Sequence, residues 1–135
     1  MSSSVSLFCE EGETIPRRND LIKLAKRLVK AEKLEGKVNV IFCADGKVRS
    51  LNREYRGLNK VTDVLSFDWE ESDFAGEIFI ANPQARRQSK RFNNTYFNEL
   101  RRLVVHGLLH LCGYDHMKTK ERELMRKKEN FYLNS

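Results

Sequence analysis

The sequence predicts an α+β fold, in which a small mixed β-sheet packs against several helices. Short runs rich in β-branched residues are interspersed with longer segments whose apolar residues follow helical spacing. These strand and helix segments do not follow a strict βαβ repeat, which favours an α+β sandwich over a regular α/β fold. The 135 residues contain no internal repeat and no linker-like stretch. We therefore expect one domain that spans residues 1–135.

Turn and cap residues set the expected boundaries of the elements. Asn19 or Asp20 is expected to cap the first helix, and Gly36 is expected to end it. Pro83 suits the first turn of a later helix. The expected strands are Val5–Cys9, Lys37–Cys43, Thr62–Phe67 and Gly76–Ile80. The expected helices are those from Asn19 or Asp20 to Gly36, from Asp45 to Gly57, from Pro83 to Phe92, from Tyr96 to Cys112 and from Thr119 to Leu133.

Charge is unevenly distributed along the chain, which has 25 Lys and Arg against 19 Asp and Glu, a net charge of +6. Residues 17–33 hold seven basic and two acidic residues, residues 86–102 hold six and one, and residues 118–128 hold six and two. A basic helix face often does no more than contact solvent. Three such segments in one small domain nevertheless favour a polyanionic partner.

Composition also indicates where the protein acts. No stretch approaches the roughly 20 apolar residues that span a bilayer, and residues 1–5 lack the basic and apolar regions of a secretory signal. We therefore expect a cytoplasmic protein that does not contact membranes, and a monomer, since nothing suggests a coiled coil. Cys9, Cys43 and Cys112 are odd in number and contain no C-x-x-C pair, so we expect three reduced thiols.

All three histidines fall within eleven residues, which is the strongest chemical signal in the chain. His106 and His110 are four residues apart in an apolar predicted helix, so their rings project from one face. Gly113 can end that helix as a left-handed residue, and the chain can then bring His116 towards the other two rings. Three imidazoles with one open position are typical of a catalytic zinc site. The sequence therefore predicts a metal cleft formed by this helix and the turn after it.

The same spacing occurs in the H-E-x-x-H-x-x-G-x-x-H metalloproteases, in which a glutamate after the first histidine is the general base. Gly107 stands at that position and cannot transfer a proton. A metallopeptidase is therefore an alternative only if a distant carboxylate replaces the missing base.

The segment His106–His116 resembles the signature of the YbeY family of metal-dependent endoribonucleases. Two further blocks agree with this resemblance: Leu51–Gly57 followed by Thr62–Phe67, and Gly76–Ile80. The order of these blocks is the same as in the family, from about Leu51 to the C-terminus. Two positions depart from the family pattern, where Asp68 replaces a usual proline and Glu77 a frequent aspartate.

The resemblance implies one zinc ion on His106, His110 and His116, and a catalytic role for Arg56 at the metal cleft. It also implies a single-strand-specific endoribonuclease that acts in small-subunit ribosomal RNA maturation, ribosome biogenesis and quality control. The expected partners are ribosomal RNA and the small ribosomal subunit. Because the chain lacks an obvious carboxylate base, a non-catalytic ribosome-assembly or RNA-binding factor with a structural metal is the alternative.

Overall fold

The computed structural model describes residues 3–69, 71, 73–114 and 118–134 and has the predicted α+β architecture. The strands are β1 (Ser3–Cys9), β2 (Gly36–Cys43), β3 (Val64–Phe67) and β4 (Phe74–Ala81). The helices are α1 (Arg18–Ala31), α2 (Asp45–Arg56), α3 (Asn82–Arg91), α4 (Tyr96–Leu111) and α5 (Thr119–Leu133). No helix within the described ranges is long and apolar enough to cross a membrane.

The four strands form one mixed sheet in the order β1-β2-β4-β3. Strands β1, β2 and β4 are parallel, and β3 pairs antiparallel with β4. The connection through α1 makes β1-α1-β2 a βαβ unit, so the first part of the chain follows a regular pattern that the later part does not. The short antiparallel β3 is the edge strand beside which the candidate site lies.

Alternating side chains of β2 and β4 build two separate layers of core, as the pleat of a strand requires. Val38, Val40 and Phe42 point to one face and belong to one core cluster with residues of α1, α4 and α5. Cys43 and Phe79 point to the other face and pack with Val48 of α2. The larger core therefore fixes α4 against the sheet, while the smaller core fixes α2 on the opposite side.

The backbone of α4 packs directly against side chains of the sheet at residue 107, because glycine has no side chain to separate them. A Cβ atom at Gly107 would lie 2.7 Å from Cγ2 of Ile78 and 3.3 Å from Oγ of Ser66. The Ser66 hydroxyl donates a hydrogen bond to the Gly107 carbonyl oxygen at 3.1 Å. A glutamate at this position would displace the helix, so the metalloprotease arrangement does not fit this packing.

Two expected boundaries of α1 are wrong. Arg17, in the left-handed conformation, precedes the helix, and its Nε donates to the Asp20 carboxylate at 2.8 Å. Asp20 therefore lies within the first turn and is not the cap. The helix ends at Ala31, well before Gly36, because left-handed Lys33 closes it in a Schellman turn.

Gly36 instead begins β2. A Cβ there would lie 3.1 Å from the Ala75 backbone nitrogen, with φ at +100°. The glycine therefore serves the close approach of β2 to β4 and not the end of the helix.

Candidate functional site

One polar row runs along the largely buried helix α4. Thr95 caps the helix by accepting a hydrogen bond from the Asn98 backbone N–H. Arg102, His106 and His110 follow at intervals of four residues and therefore share a face. The residues of α4 that are buried on its other faces are Leu100, Leu103, Val104, Val105, Leu108, Leu109 and Leu111. Packing of these apolar residues fixes the direction in which the polar row points.

The structure brings His106 and His110 together, as their spacing predicts. Their ring centroids are 4.8 Å apart with an angle of 76° between the ring planes. Both side chains are half-buried at the wall of a cleft. Two imidazoles in this arrangement are suited to share one ion.

Glu129 of α5 orients the first of these rings. Its Oε1 lies 3.0 Å from Nδ1 of His106, and the two side chains retain only 19% and 20% of their surface. In the tautomer that donates Nδ1–H to this carboxylate, the lone pair of the ring is on Nε2. A carboxylate behind a histidine is a frequent support of metal-ligating imidazoles, because it fixes the ring and raises its basicity.

The turn after α4 has the predicted helix-ending geometry. Gly113 is left-handed with φ at +99°, and the Tyr114 N–H bonds to the Leu109 carbonyl oxygen at 3.0 Å. These bonds form a Schellman turn that ends the helix. The third predicted ligand, His116, follows this turn and lies outside the described residues. Asp115, which directly precedes His116 in sequence, lies outside them as well.

Glu32 holds that turn against the end of α1. Its carboxylate, whose side chain is 8% exposed, accepts hydrogen bonds from the hydroxyls of Tyr114 and Tyr132 and from Lys128 Nζ. Burial alone would raise the pKa of Glu32, but these hydrogen bonds outweigh burial and lower the pKa. The ionised carboxylate thus ties α1, the turn and α5 together.

The histidine pair opens into a cleft of about 720 Å³ between α4, β3 and the end of α2. The wall combines positive and negative side chains, with Arg56 and Lys60 as the cations and Asp63 and Asp68 as the carboxylates. The remaining lining residues are Asn52, Leu58, Thr62, Val64, Leu65, Ser66 and Leu111.

Arg56 lies in the last turn of α2, which left-handed Gly57 ends directly after it. Its side chain is exposed, and its Nη2 donates to the Ser66 carbonyl oxygen at 3.2 Å. Ser66 therefore contacts both Arg56, through its carbonyl, and the histidine helix, through its hydroxyl. This geometry places Arg56 in the cleft of the histidines. The Ser66 hydroxyl is used as a structural donor to the Gly107 carbonyl oxygen.

Asp63 directly precedes β3 and is held in place by neighbouring side chains. Gln88 Nε2 donates to its carboxylate at 3.2 Å, and Arg102 Nη2 lies 3.5 Å away. Buried Glu99 binds both Gln88 and Arg102 from the other side. The network braces the cleft wall at Asp63.

The cysteines take no visible part in the cleft. All three are free thiols, Cys43 buried and the other two half-buried. Burial raises the pKa of both Cys43 and Cys112 to about 12, so these two thiols remain protonated near neutral pH. Protonated thiols are poor nucleophiles and poor metal ligands.

The sequence reasoning missed Glu129 because its contact with His106 spans 23 residues of chain. A signal for it was nevertheless present. Glu129 lies four residues after Met125 and three before Tyr132, and these are the two buried residues of α5. A carboxylate on the buried face of a helix needs a partner.

The chemistry of the described donors fits a metal, although the described residues alone do not complete a site. Within residues 3–69, 71, 73–114 and 118–134, no group of three or more His, Cys, Asp or Glu side chains is placed to hold an ion. The histidine pair with its supporting carboxylate supplies two imidazole donors at the open cleft. The third predicted donor belongs to the segment 115–117, outside those residues.

The fold and this cleft define a class of α+β proteins in which a histidine-bearing helix faces an arginine across an edge strand. The family model of endoribonuclease YbeY matches residues 9–135. Endoribonuclease YbeY of Desulforamulus reducens is 41% identical, with 90% of each chain covered. Endoribonuclease YbeY of Thermotoga maritima is 36% identical, with 91% of this chain and 83% of the relative covered.

A solved structure agrees with these sequence matches. The solution structure of a Thermotoga maritima protein matches with a TM-score of 0.70 and 33% identity, covering 96% of this chain and 87% of that one. The chain belongs to the YbeY family, as its motifs predict.

Proposed function

We propose that this protein is a zinc-dependent endoribonuclease that cleaves single-stranded RNA. The observation that carries the proposal is the single cleft that contains His106, His110 and Arg56. The relatives that match most of the chain bear the name endoribonuclease, which supports RNA as the substrate.

The proposed metal ligands are His106, His110 and His116, which would hold one ion. Neutral imidazoles also suit copper, nickel and iron, and three histidines with an open position favour zinc. When bound, zinc supplies Lewis-acid activation of water as a nucleophile near neutral pH. Glu129 holds the His106 ring in the orientation that this ligation requires.

Arg56 is the proposed phosphate-binding group. Negative charge grows on the phosphoryl oxygens during phosphodiester cleavage, and a guanidinium can donate two parallel hydrogen bonds to them. The contact with the Ser66 carbonyl oxygen restrains the Arg56 side chain at the cleft. A restrained guanidinium loses less entropy when it binds the reacting phosphate.

The proposed setting is the cytoplasm, where the protein would act as a monomeric single domain on ribosomal RNA of the small subunit. The three basic segments support a polyanionic partner of this kind. We also propose that the protein serves ribosome biogenesis and quality control.

One observation favours a second candidate function, a non-catalytic assembly factor with a structural metal. The Asp63 carboxylate, which lines the cleft, is engaged by Gln88 and Arg102. It is therefore held as a structural group and is not positioned as a proton acceptor. This candidate differs from the first in needing the metal for folding but not for chemistry.

Cleavage of a single-stranded RNA by zinc-loaded protein tests the proposal. We expect His110→Ala to abolish cleavage while circular dichroism shows a folded protein, and Arg56→Ala to reduce kcat by about a hundredfold or more. Arg91→Ala is the matched control, because Arg91 is also an exposed arginine at the end of a helix. Undiminished cleavage by His110→Ala would remove the proposal. An inactive Arg56→Ala that still restores ribosome maturation in cells lacking the protein would favour the assembly factor.

A further inference from the structure

Three aromatic side chains form a cluster beside the mouth of the cleft. Phe67 and Trp69 are stacked, with ring centroids 5.4 Å apart and only 13° between their planes. Tyr55 meets both rings edge-on, at 5.4 Å from Phe67 and 6.0 Å from Trp69. We call these three residues the aromatic platform.

The platform is anchored to the protein by contacts with β4, and part of its surface is open to solvent. Phe67 packs against Phe79 of the smaller core at 5.9 Å, and Trp69 Nε1 donates to the Glu77 carboxylate at 2.9 Å. Trp69 nevertheless remains 37% exposed and Tyr55 53% exposed. The rings are therefore held in place before any ligand arrives, which lowers the entropy lost on binding.

The platform is continuous with the cleft. Arg56 directly follows Tyr55 in α2, and its guanidinium carbon lies 5.8 Å from the Phe67 ring centroid. Phe67 itself directly follows Ser66, which accepts the hydrogen bond from Arg56. A nucleotide whose phosphate contacts Arg56 would thus have the platform within reach of a neighbouring base.

The charges around the platform favour a base over a phosphate on its surface. Glu77 accepts a hydrogen bond from Trp69 beside the rings. The cations of the cleft wall are Arg56 and Lys60, and Asp63 and Asp68 also line that wall. Carboxylates repel phosphates but accept hydrogen bonds from the amino groups of nucleobases. The Arg56 guanidinium therefore suits a phosphate and the Glu77 carboxylate suits a base, which are the two ends of one nucleotide.

We propose that the aromatic platform binds a nucleobase of single-stranded RNA, next to the phosphodiester held at Arg56. The proposal rests on the proposed function only for the identity of the substrate. Stacking on aromatic rings is the usual way in which proteins hold unpaired bases, and it tolerates any sequence. The platform therefore selects single strands, since a paired base is not available to stack on it.

Trp69 is the only tryptophan of the chain, so its fluorescence reports on the platform directly. Titration of His110→Ala protein with a short oligoribonucleotide would measure binding without cleavage. We expect saturable quenching by the oligoribonucleotide, and much weaker quenching by an abasic strand of equal length and charge. Equal quenching by both strands would contradict the proposal, as would quenching by oligolysine but not by RNA, which would indicate a basic protein partner.

Variants measured by the anisotropy of a labelled oligoribonucleotide test the contribution of each ring. We expect Trp69→Ala and Tyr55→Ala to raise Kd by about tenfold, and Trp69→Phe by less, because phenylalanine retains a stacking surface. Phe131→Ala is the matched control, since Phe131 is 62% exposed on α5 and outside the platform. An unchanged Kd for folded Trp69→Ala and Tyr55→Ala would overturn the proposal.

The outcomes also separate this proposal from the proposed function. Base-dependent quenching in a protein that never cleaves RNA would refute the nuclease and retain the platform. Efficient cleavage without base-dependent quenching would retain the nuclease and refute the platform.

Discussion

Glu99 of α4 and Glu129 of α5 each contact a residue in the polar row of α4, but they hold different groups. Glu99 is 2% exposed, and its two oxygens accept from Arg102 Nε and Nη2 at 2.8 Å each, with Gln88 as a further donor at 2.7 Å. Glu129 is more open, at 19%, and contacts the His106 ring at 3.0 Å.

Because of this difference, Glu99 supports the fold, whereas Glu129 supports the candidate site. A buried carboxylate that pairs with a guanidinium and an amide braces the first half of α4, and its loss would remove the shortest hydrogen bonds of both donors. A carboxylate that contacts one imidazole at the cleft fixes the orientation of that ring. We therefore expect changes at Glu99 to alter stability and changes at Glu129 to alter metal binding.

The largest expected effect is that of Glu99→Ala on stability. Removal of the carboxylate leaves Gln88 and Arg102 with only their longer contacts to Asp63. The loss should be about 3 kcal/mol, moderated because Arg102 is partly exposed. Urea unfolding of metal-free protein measures it, with Glu123→Ala, an exposed glutamate of α5, as the control. A stability change within about 0.5 kcal/mol would contradict the bracing role.

Gly107→Val tests the second bracing contact, the close approach of α4 to the sheet. A Cβ at this position would lie 2.7 Å from Ile78, so we expect a loss of about 2 kcal/mol. The same unfolding measurement applies. An unchanged midpoint would mean that the helix and sheet can separate without cost.

Some of these features could be predicted from the sequence, and others could not. Helical spacing predicted α4 almost to the residue, and Gly113 predicted its end, because both signals are local. The order of the strands and the network around Asp63 depend on packing between distant segments. The start of α1 was wrong because a left-handed arginine precedes it, which no propensity rule favours.

The residues of the candidate site also fall into those that could be predicted from the sequence and those that could not. The histidine pair and Arg56 were predicted, the pair from spacing and the arginine from family resemblance, and the structure places all three in one cleft. The aromatic platform and the Glu129 contact depend on tertiary neighbours. Their residue types alone, an exposed tryptophan or a helical glutamate, have too many ordinary explanations to be singled out.

Glu129→Ala tests the other half of the comparison, the support of the metal site by Glu129. We expect metal affinity to fall by about tenfold, because His106 loses the group that fixes its orientation. Glu129→Gln should retain part of the affinity, since its amide oxygen can still accept from Nδ1–H. Isothermal titration with zinc measures the affinity, and urea unfolding of the metal-free protein should show little change. A large stability loss with unchanged affinity would reverse the roles of the two glutamates.

The smallest expected effect concerns Glu32, which ties the turn after α4 to α1. Its folded-state pKa is lowered, so its stabilisation is present above the unfolded-state value of about 4.3 and is lost as the pH falls through the folded value. We expect Glu32→Gln to cost about 1 kcal/mol at pH 7. In acid unfolding curves, the difference from the natural sequence should shrink as the pH falls below the unfolded-state value. A difference that is constant with pH would contradict this account.

The central claim is that His106, His110 and His116 hold one metal ion at the cleft. Elemental analysis of the purified protein and of the three single His→Ala variants tests it most directly. We expect close to one zinc ion per chain in the natural sequence and far less in each variant, with every variant folded. Zinc content that persists in the His106→Ala and His110→Ala variants would contradict the claim.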